Sequence, residues 1–259
     1  MNSRRWLKNG RERTAPWWRV HTSHLEVRMK IGIIGAGNIG STLTKRFREL
    51  GHDVFVANSR GPDTLESLAA ETGARAVTAQ EAARAGDVVI VTIPQHRVPD
   101  LPGDLFAGVG EHVVVVDTGN YYPRQRDGRI DGIEQGMTES RWVSSQIGRP
   151  VIKAFNNIYA DHLLKLGRPS GARDRVALPV AGDDANAKAT VLKLVEALGF
   201  DGVDSGTLDE SWRQQPGTPV YTTDFQLDRL KLGLIDASRH RTPDWRATDR
   251  SPGSFEQPR

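Results

Sequence analysis

The sequence predicts an α/β chain, a doubly wound parallel sheet with a short helical C-terminal addition, and three observations predict it. From Met29 onward, strand-length apolar runs alternate with helix-length amphipathic ones, the pattern of parallel strands joined by crossover helices. The runs Asp87 to Ile93 and His112 to Val116 are rich in Val and Ile without in-and-out alternation, as expected when helices cover both sheet faces. The first strand runs directly into Gly35-Ala36-Gly37-Asn38-Ile39-Gly40, a glycine-rich turn that opens a helix.

Composition agrees with one large domain, or one domain and a small appendage: 259 residues, 26% charged and 37% hydrophobic. No apolar run approaches the roughly 20 residues of a spanning helix, so no membrane insertion is expected. Cysteine is absent, which excludes disulfides, thiolate metal sites, iron–sulfur clusters and cysteine nucleophiles, and no metal site is expected. A reducing cytoplasm fits that composition. The net charge of +3 is uneven: residues 1–28 carry seven Lys/Arg against two Glu, +5, which leaves −2 for the rest. A nearly neutral body gives no reason to expect a nucleic-acid surface. The basic head lacks an apolar core segment and reads as a disordered or misassigned leader, with Trp6, Trp17 and Trp18 scattered in it.

The elements follow in order. Lys30 to Ile34 is the first strand, and Ser41 to Leu50 a helix closed by Gly51. Asp53 to Ala57 is the second strand, Thr64 to Glu71 a helix capped by Asp63, and Ala74 to Val77 the third strand. Thr78 and Glu81 have capping-box spacing and open another short helix. The fourth strand, Asp87 to Ile93, stops at Pro94, and the fifth, His112 to Val116, ends in Asp117-Thr118-Gly119-Asn120. Tyr121 to Gln146 is polar, contains Gly128, Gly132 and Gly136, and reads as a long loop with one helical stretch around Ile133 to Val143. Pro150 to Ala154 is the sixth strand, Ile158 to Leu166 a helix, and Arg175 to Ala181 the seventh strand. Ala185 to Leu198 places Ala187, Val191, Leu194, Val195 and Leu198 on one stripe and stops at Gly199. Asp201 to Asp204 is expected as an eighth strand at the sheet edge. Thr223 to Gln226 has capping-box spacing for a helix to about Ala237, and the last twenty residues read as a frayed tail. The expected organisation is thus a leader (1–28), a dinucleotide-binding domain (29–210), a helical segment (211–240) and a tail (241–259).

A G-x-G-x-x-G run is informative when it follows a strand and opens a helix, as this one does, and it marks a Rossmann-type dinucleotide site. Gly35 permits the tight turn, Gly37 lets backbone approach a pyrophosphate, and Gly40 lets helix pack on strand. The anion rests on the N–H groups at the helix start. The second strand ends in Asn58-Ser59-Arg60 rather than in the carboxylate that would hold an NAD ribose. Arg60 offers a charged fork for a 2′-phosphate, with the Ser59 hydroxyl beside it. Ligands of open parallel sheets bind beyond the carboxyl ends of the strands. Ile93-Pro94-Gln95-His96, Asp117 to Asn120, and Lys153-Ala154-Phe155-Asn156-Asn157 should therefore converge. There His96 is a candidate proton or hydrogen-bond donor, or else a surface histidine at a helix start. Lys153 is expected to turn outward by alternation with Ile152. Asp117 caps its own loop, and Asn156 can orient an amide or carbonyl but not move a proton.

Met29 to Gly40, Asn58-Ser59-Arg60, Ile93-Pro94 and Lys153-Ala154-Phe155-Asn156 together resemble the NADPH-dependent deazaflavin (coenzyme F420) oxidoreductases. The same core occurs in the cytosolic NADPH domain of the six-transmembrane metalloreductases. The resemblance covers about residues 29 to 210. It implies a cofactor, NADP(H), held at the pyrophosphate by Gly35, Ala36, Gly37, Asn38, Ile39 and Gly40 and at the 2′-phosphate by Asn58, Ser59 and Arg60. It places Ile93, Pro94, His96, Thr118, Ala154, Phe155 and Asn156 around the nicotinamide and the second ring.

It also implies hydride transfer to a small-molecule redox acceptor, a deazaflavin or FAD/FMN-type ring, with no dedicated acid or base. His96 and Asn156 are then the only weak catalytic candidates. A reductase of small imines or carbonyls is the enzymatic alternative, with His96, Tyr121, Tyr122 or Tyr159 as proton donor. A non-catalytic NADPH sensor is a third reading. The C-terminal helix carries Leu227, Leu230 and Leu234 on one side and Phe225, Leu232 and Ile235 towards the other, so a homodimer is expected.

Overall fold

The computed structural model describes residues 28–239 and 253–259. The chain runs β1 (Lys30–Ile34), α1 (Asn38–Glu49), β2 (Asp53–Ala57), α2 (Glu66–Thr72), β3 (Arg75–Ala76), α3 (Ala79–Ala85), β4 (Val88–Val91), β5 (Val114–Asp117), α4 (Asp131–Glu134) and α5 (Glu139–Ile147). β6 (Ile152–Lys153), α6 (Ala160–Lys165), β7 (Ala177–Val180), α7 (Ala185–Ala197), β8 (Asp201–Asp204) and α8 (Leu227–Asp236) follow. Six strands form one parallel sheet in the order β3-β2-β1-β4-β5-β6. The order reverses between β1 and β4, and a crevice opens there beyond the strand ends.

The unalternated Val/Ile strands are explained by two packed faces. Ile31, Ile33, Val54, Val56, Val88 and Ile90 lie in one cluster with Leu43 and Phe47 of α1, Leu163 of α6 and Val191 and Leu194 of α7. Ile34, Ala57 and Val89 point the other way, onto Ala82 and Ala83 of α3 and Leu105 and Val113. Arg46 is buried between helices and donates to the carbonyls of Leu164 (2.8 Å) and Leu198 (2.7 Å), tying α1 to the ends of α6 and α7.

Several sequence expectations change. α1 begins at Asn38, so Asn38, Ile39 and Gly40 form its first turn rather than a loop before it. Asp63 caps nothing: it lies inside a 3₁₀ turn, Pro62–Leu65, that precedes α2, and neither helix start has a side-chain cap. The polar stretch after Asn120 holds a π turn (Pro123–Asp127), α4 and α5, and buries Tyr121, Ile133, Trp142 and Val143 as a core of its own. Its apolar residues are sparse along the chain but converge in space. β8 pairs in parallel with β7 in a separate two-stranded sheet, joined to the large one by a single antiparallel bridge, Lys153 to Ala181.

No capping box forms at Thr223. Gln226 is the residue before α8, while Asp224 takes φ +51 and pairs with His162 at 2.6 Å. α8 buries Leu230 and Leu234 against Ala177, Val203 and Val220, with Phe225 on the same side, and leaves Leu232 and Ile235 exposed. Residues 253–259 are hydrogen-bonded to the body instead of frayed. Residues 1–27, with their tryptophans, and 240–252 of the tail lie outside the described residues; Arg28 pairs with Asp53. The capping box of Thr78 and Glu81 forms with both of its bonds.

Candidate functional site

The glycine turn after β1 shows three distinct spatial demands. Gly35 has φ +112, and a Cβ there would stand 2.2 Å from the Thr92 carbonyl. A Cβ on Gly40 would stand 1.9 Å from the Gly35 carbonyl, so the first turn of α1 rests directly on the loop. Gly37, the N-cap of α1, has φ −73, and a Cβ on it would meet nothing within 4 Å. That open space faces a helix start with no side-chain cap and no acidic residue in its first turn. Unpaired N–H groups and the positive end of the helix dipole therefore face an accessible cradle, which fits an anionic pyrophosphate.

The cradle is one wall of a cleft of about 720 Å³, within the size range of small-molecule sites. Asn58, Ser59 and Arg60 form its second wall, Ile93 and Pro94 its floor at the β4 tip, and Thr78, Gln80, Arg97, Leu101 and Pro102 the far side. Asn58 shapes its turn: its Oδ1 accepts from Arg60 N (2.9 Å) and its Nδ2 donates to Thr64 Oγ1 (2.9 Å). Ser59 and Arg60 remain exposed on that turn, and no carboxylate stands at the β2 tip. The sequence reading missed Arg97, a second guanidinium on the cleft wall, which pairs with Asp100 at 2.9 Å.

Of the residues expected at the cofactor, Gly35, Ala36, Gly37, Asn58, Ser59, Arg60, Ile93 and Pro94 line this cleft. Asn38, Ile39 and Gly40 supply the helix start. His96, Thr118, Ala154, Phe155 and Asn156 do not line it. Thr118 is buried at the β5 tip, its N–H given to the Val91 carbonyl (3.1 Å). Ala154 and Phe155 are wholly buried, Phe155 in the left-handed region at φ +60. The Asn156 amide is engaged inside the protein: Nδ2 donates to Asn120 Oδ1 (3.0 Å) and the Gln214 carbonyl (2.7 Å), and Oδ1 accepts from Gln214 Nε2 (3.0 Å).

His96 faces away from the cleft, towards the 121–147 segment. Pro94 and, from the turn Gln95–Asp100 that follows it, Arg97 line the cleft, Gln95 and Val98 are buried, and the His96 Nδ1 lies 2.8 Å from Asp127 Oδ1. Nearby, the hydroxyls of Tyr122 and Tyr221 meet, and Asn120 Nδ2 donates to Tyr221 (3.4 Å). Burial pushes both phenols upward; the Tyr221 hydrogen bond opposes this at Tyr122, whereas the Tyr122 contact adds to it at Tyr221. They therefore stay neutral hydroxyls across the physiological range. Asp127, Gln214 and Tyr221 were not identified from the sequence.

Lys153 overturns its expected outward placement. It is fully buried, 3.1 Å from Asp117 Oδ2 and 3.8 Å from Glu139 Oε2, and also donates to the Gly119 carbonyl. Alternation does separate its side chain from that of Ile152, but α7 packs on β6 from one side and the turn Leu208–Gln214 from the other, so neither face is wet. Asp117 caps its loop as expected, accepting from Gly119 N (2.8 Å), and also accepts from Ser140 Oγ (2.6 Å). Among the described residues, no cluster of three or more His, Asp or Glu could hold a metal, and no helix is long and apolar enough to cross a membrane.

Residues 30–121, which carry the whole cleft, match the family described as NADP oxidoreductase, coenzyme F420-dependent. The solved structure of the hypothetical protein SMa0349 from Sinorhizobium meliloti is 32% identical, with a TM-score of 0.66 over 78% of this chain and 96% of that one. The chain belongs to the F420-dependent NADP oxidoreductase family. The Arthrobacter sp. FB24 structure described as an F420-dependent NADP reductase shares the family fold at 22% identity and a TM-score of 0.56, over 71% of this chain and 87% of that one.

Two curated relatives match over only part of their own length. YjhV of Escherichia coli is 50% identical over 78 residues, 30% of this chain and 50% of YjhV. The metalloreductase STEAP3 of Rattus norvegicus is 28% identical over 182 residues, 69% of this chain and 34% of STEAP3. The chain thus spans half of the first and about a third of the second. The family is one of NADP-dependent oxidoreductases, and the cleft has the size and the open helix start that a dinucleotide needs.

Proposed function

We propose that the protein transfers a hydride between NADP(H) and a deazaflavin or flavin-type small-molecule acceptor. The observation that carries this reading is the pairing of an open anion cradle at Gly37 with a β2 tip that offers Ser59 and Arg60 and no carboxylate. NADPH, when bound, supplies the hydride. The chain's own residues supply position. The helix start at Asn38 to Gly40 holds the pyrophosphate, Ser59 and Arg60 select the 2′-phosphate, and Ile93 and Pro94 form an apolar floor where a flat ring can lie. The second ring is assigned to the side of the β4 tip bounded by His96, Tyr122 and Tyr221. Proximity and orientation of two stacked rings account for several kcal/mol of such a barrier, on the order of what positioned reactants gain.

The test is NADPH oxidation against a panel of acceptors: deazaflavin, FMN, FAD, quinones and imines. Turnover with a deazaflavin or flavin, at a single-turnover rate flat from about pH 6 to 9 in both the parent and His96→Ala, supports the reading. A rate that falls steeply as pH rises through the ordinary histidine pKa of about 6.5, a limb that vanishes in His96→Ala, moves the assignment to an imine or carbonyl reductase. Tight NADPH binding with no acceptor turned over points to a sensor. Cytoplasmic location and a homodimer complete the proposal, the latter because Leu232 and Ile235 leave an apolar pair uncovered on α8. A monomer mass in light scattering would remove the dimer.

A further inference from the structure

Residues 253–259 fold back onto the segment between the β5 tip and α4. Arg124 Nε donates to the Gly253 carbonyl (2.9 Å), Arg259 N to the Arg124 carbonyl (2.9 Å), and Arg129 N to the Phe255 carbonyl (3.2 Å). The heptad is a tight turn of its own, with Ser254 N on the Gln257 carbonyl (3.0 Å) and Ser254 Oγ accepting from Glu256 N (3.2 Å) and Gln257 N (3.1 Å). The fit leaves no slack. A Cβ on Gly253 would stand 2.3 Å from the Arg124 carbonyl, and one on Gly128 3.2 Å from that of Phe255.

What the clasped turn carries is Asp127. Its side chain is fully buried and accepts from Tyr122 N (2.7 Å), from the Arg126 guanidinium (2.9 Å) and from His96 Nδ1 (2.8 Å). A carboxylate only accepts, so His96 carries a proton on Nδ1, and in the neutral ring Nε2 is the acceptor. The ring is one-third exposed, and no described residue bonds to Nε2. Arg126 also donates to the Asn120 carbonyl and lies 5.0 Å over the Tyr122 ring. Clasp, turn, Asp127 and His96 form a chain of contacts that ends in one unused acceptor beside the β4 tip.

We propose that residues 253–259 are a positioning clasp for the acceptor half of the site. By fixing the turn at 123–129 they hold Asp127, and through it the His96 Nε2, where that nitrogen accepts a hydrogen bond from a planar heterocycle bearing a ring N–H. This rests on the acceptor reading above; the dinucleotide half of the site takes no part in it.

The experiment compares the full chain with a chain lacking 253–259, with Gly253→Val as a second route to an undocked clasp, and with Asp127→Asn. One arm needs no acceptor: limited trypsinolysis, with fragments read by mass. Arg124, Arg126 and Arg129 lie in the clasped segment, so cleavage after them should accelerate by about tenfold or more when the clasp is lost, the mark of local opening. The other arm is steady-state kinetics with the acceptor found in the panel. Acceptor KM should rise by about tenfold, the worth of one lost hydrogen bond, in all three variants, with NADPH Kd nearly unchanged throughout and melting temperature nearly unchanged in the truncation and in Gly253→Val. Because the parts act in series, Asp127→Asn combined with the truncation should be no worse than either alone.

Unchanged cleavage overturns the clasp. Faster cleavage with unchanged acceptor KM overturns the positioning role. A rise of acceptor KM accompanied by parallel losses of NADPH affinity and melting temperature shows a merely structural tail and also overturns it. If the full chain turns over no acceptor, the acceptor reading itself fails and removes this role, and trypsin alone then reports whether the clasp forms.

Discussion

Two glycines of one motif should fail in opposite ways. Gly37→Val places a side chain in space the protein does not use, at an extended backbone (φ −73, ψ −167) that Val adopts without strain. Folding should therefore change by no more than about 1 kcal/mol, the scale of a helix-cap exchange. Binding should suffer, because the isopropyl group stands where a pyrophosphate meets the helix N–H groups. Losing two charge-assisted bonds at about 1.5–3 kcal/mol each weakens NADPH by roughly a hundredfold to ten-thousandfold.

Gly40→Ala is the converse. Its Cβ would lie 1.9 Å from the Gly35 carbonyl and 2.8 Å from Thr92 Cγ2, whereas ordinary contact begins at 3.4 Å. Backbone must retreat, at a cost of about 3 kcal/mol, the upper end for overpacking. That corresponds to about 6–12 °C in melting temperature for a chain of this size. Thermal melts followed by dye fluorescence and NADPH fluorescence titrations read both quantities on the same samples. Gly37→Val melting as early as Gly40→Ala, or binding NADPH within threefold of the parent, would refute the division of labour.

Arg60→Ala should erase most of a tenfold to hundredfold preference for NADPH over NADH, from a charge-assisted contact of about 1.5–3 kcal/mol. The preference should shrink with salt because Arg60 is exposed, and equal losses for both nucleotides in paired Kd measurements would sink the assignment. Lys153→Met leaves Asp117 and Glu139 buried without their cation and should cost about 3–5 kcal/mol, read as a lower urea midpoint at constant slope; a loss under about 1 kcal/mol would show that the cluster is solvated. Burial raises the phenols of Tyr121, Tyr122 and Tyr221 above their ordinary value of 10.0. Their neutral forms are thus favoured in the folded chain, and this stability is fully present below about pH 10 and drains as pH rises and the unfolded phenols ionise. Tyrosinate absorbance should lag behind model tyrosine until unfolding begins, and a titration matching free tyrosine would count against the burial.

The parts of this molecule visible in the sequence are those decided within a few residues. The glycine turn, the Asn58-Ser59-Arg60 tip, the Thr78–Glu81 capping box and the strand Asp201–Asp204 each follow from local steric or hydrogen-bonding rules. The parts hidden are decided by partners far along the chain. Asp127 meets His96 from 31 positions away, and Gln214 meets Asn156 from 58. Lys153 followed the right alternation into a dry environment that only the packing of both sheet faces reveals. At Thr223 the local rule lost outright: the chain turns left-handed at Asp224, which His162 holds, and Gln226 rather than Thr223 stands at the start of α8.

The buried ammonium of Lys153 also bears on the order in which the molecule assembles. Its two carboxylates come from the end of β5 and from α5, and its backbone carries the one bridge to Ala181. Before β6 docks, that charge is hydrated at no expense; after docking it must already have both partners. Ile152–Lys153 therefore belongs late on the folding coordinate, once α5 is seated and the first five strands are paired. Interactions absent from the transition state govern how fast the native state comes apart rather than how fast it forms. The cluster is then a latch on unfolding, and the lifetime of the folded chain depends on it more than the speed of its formation does.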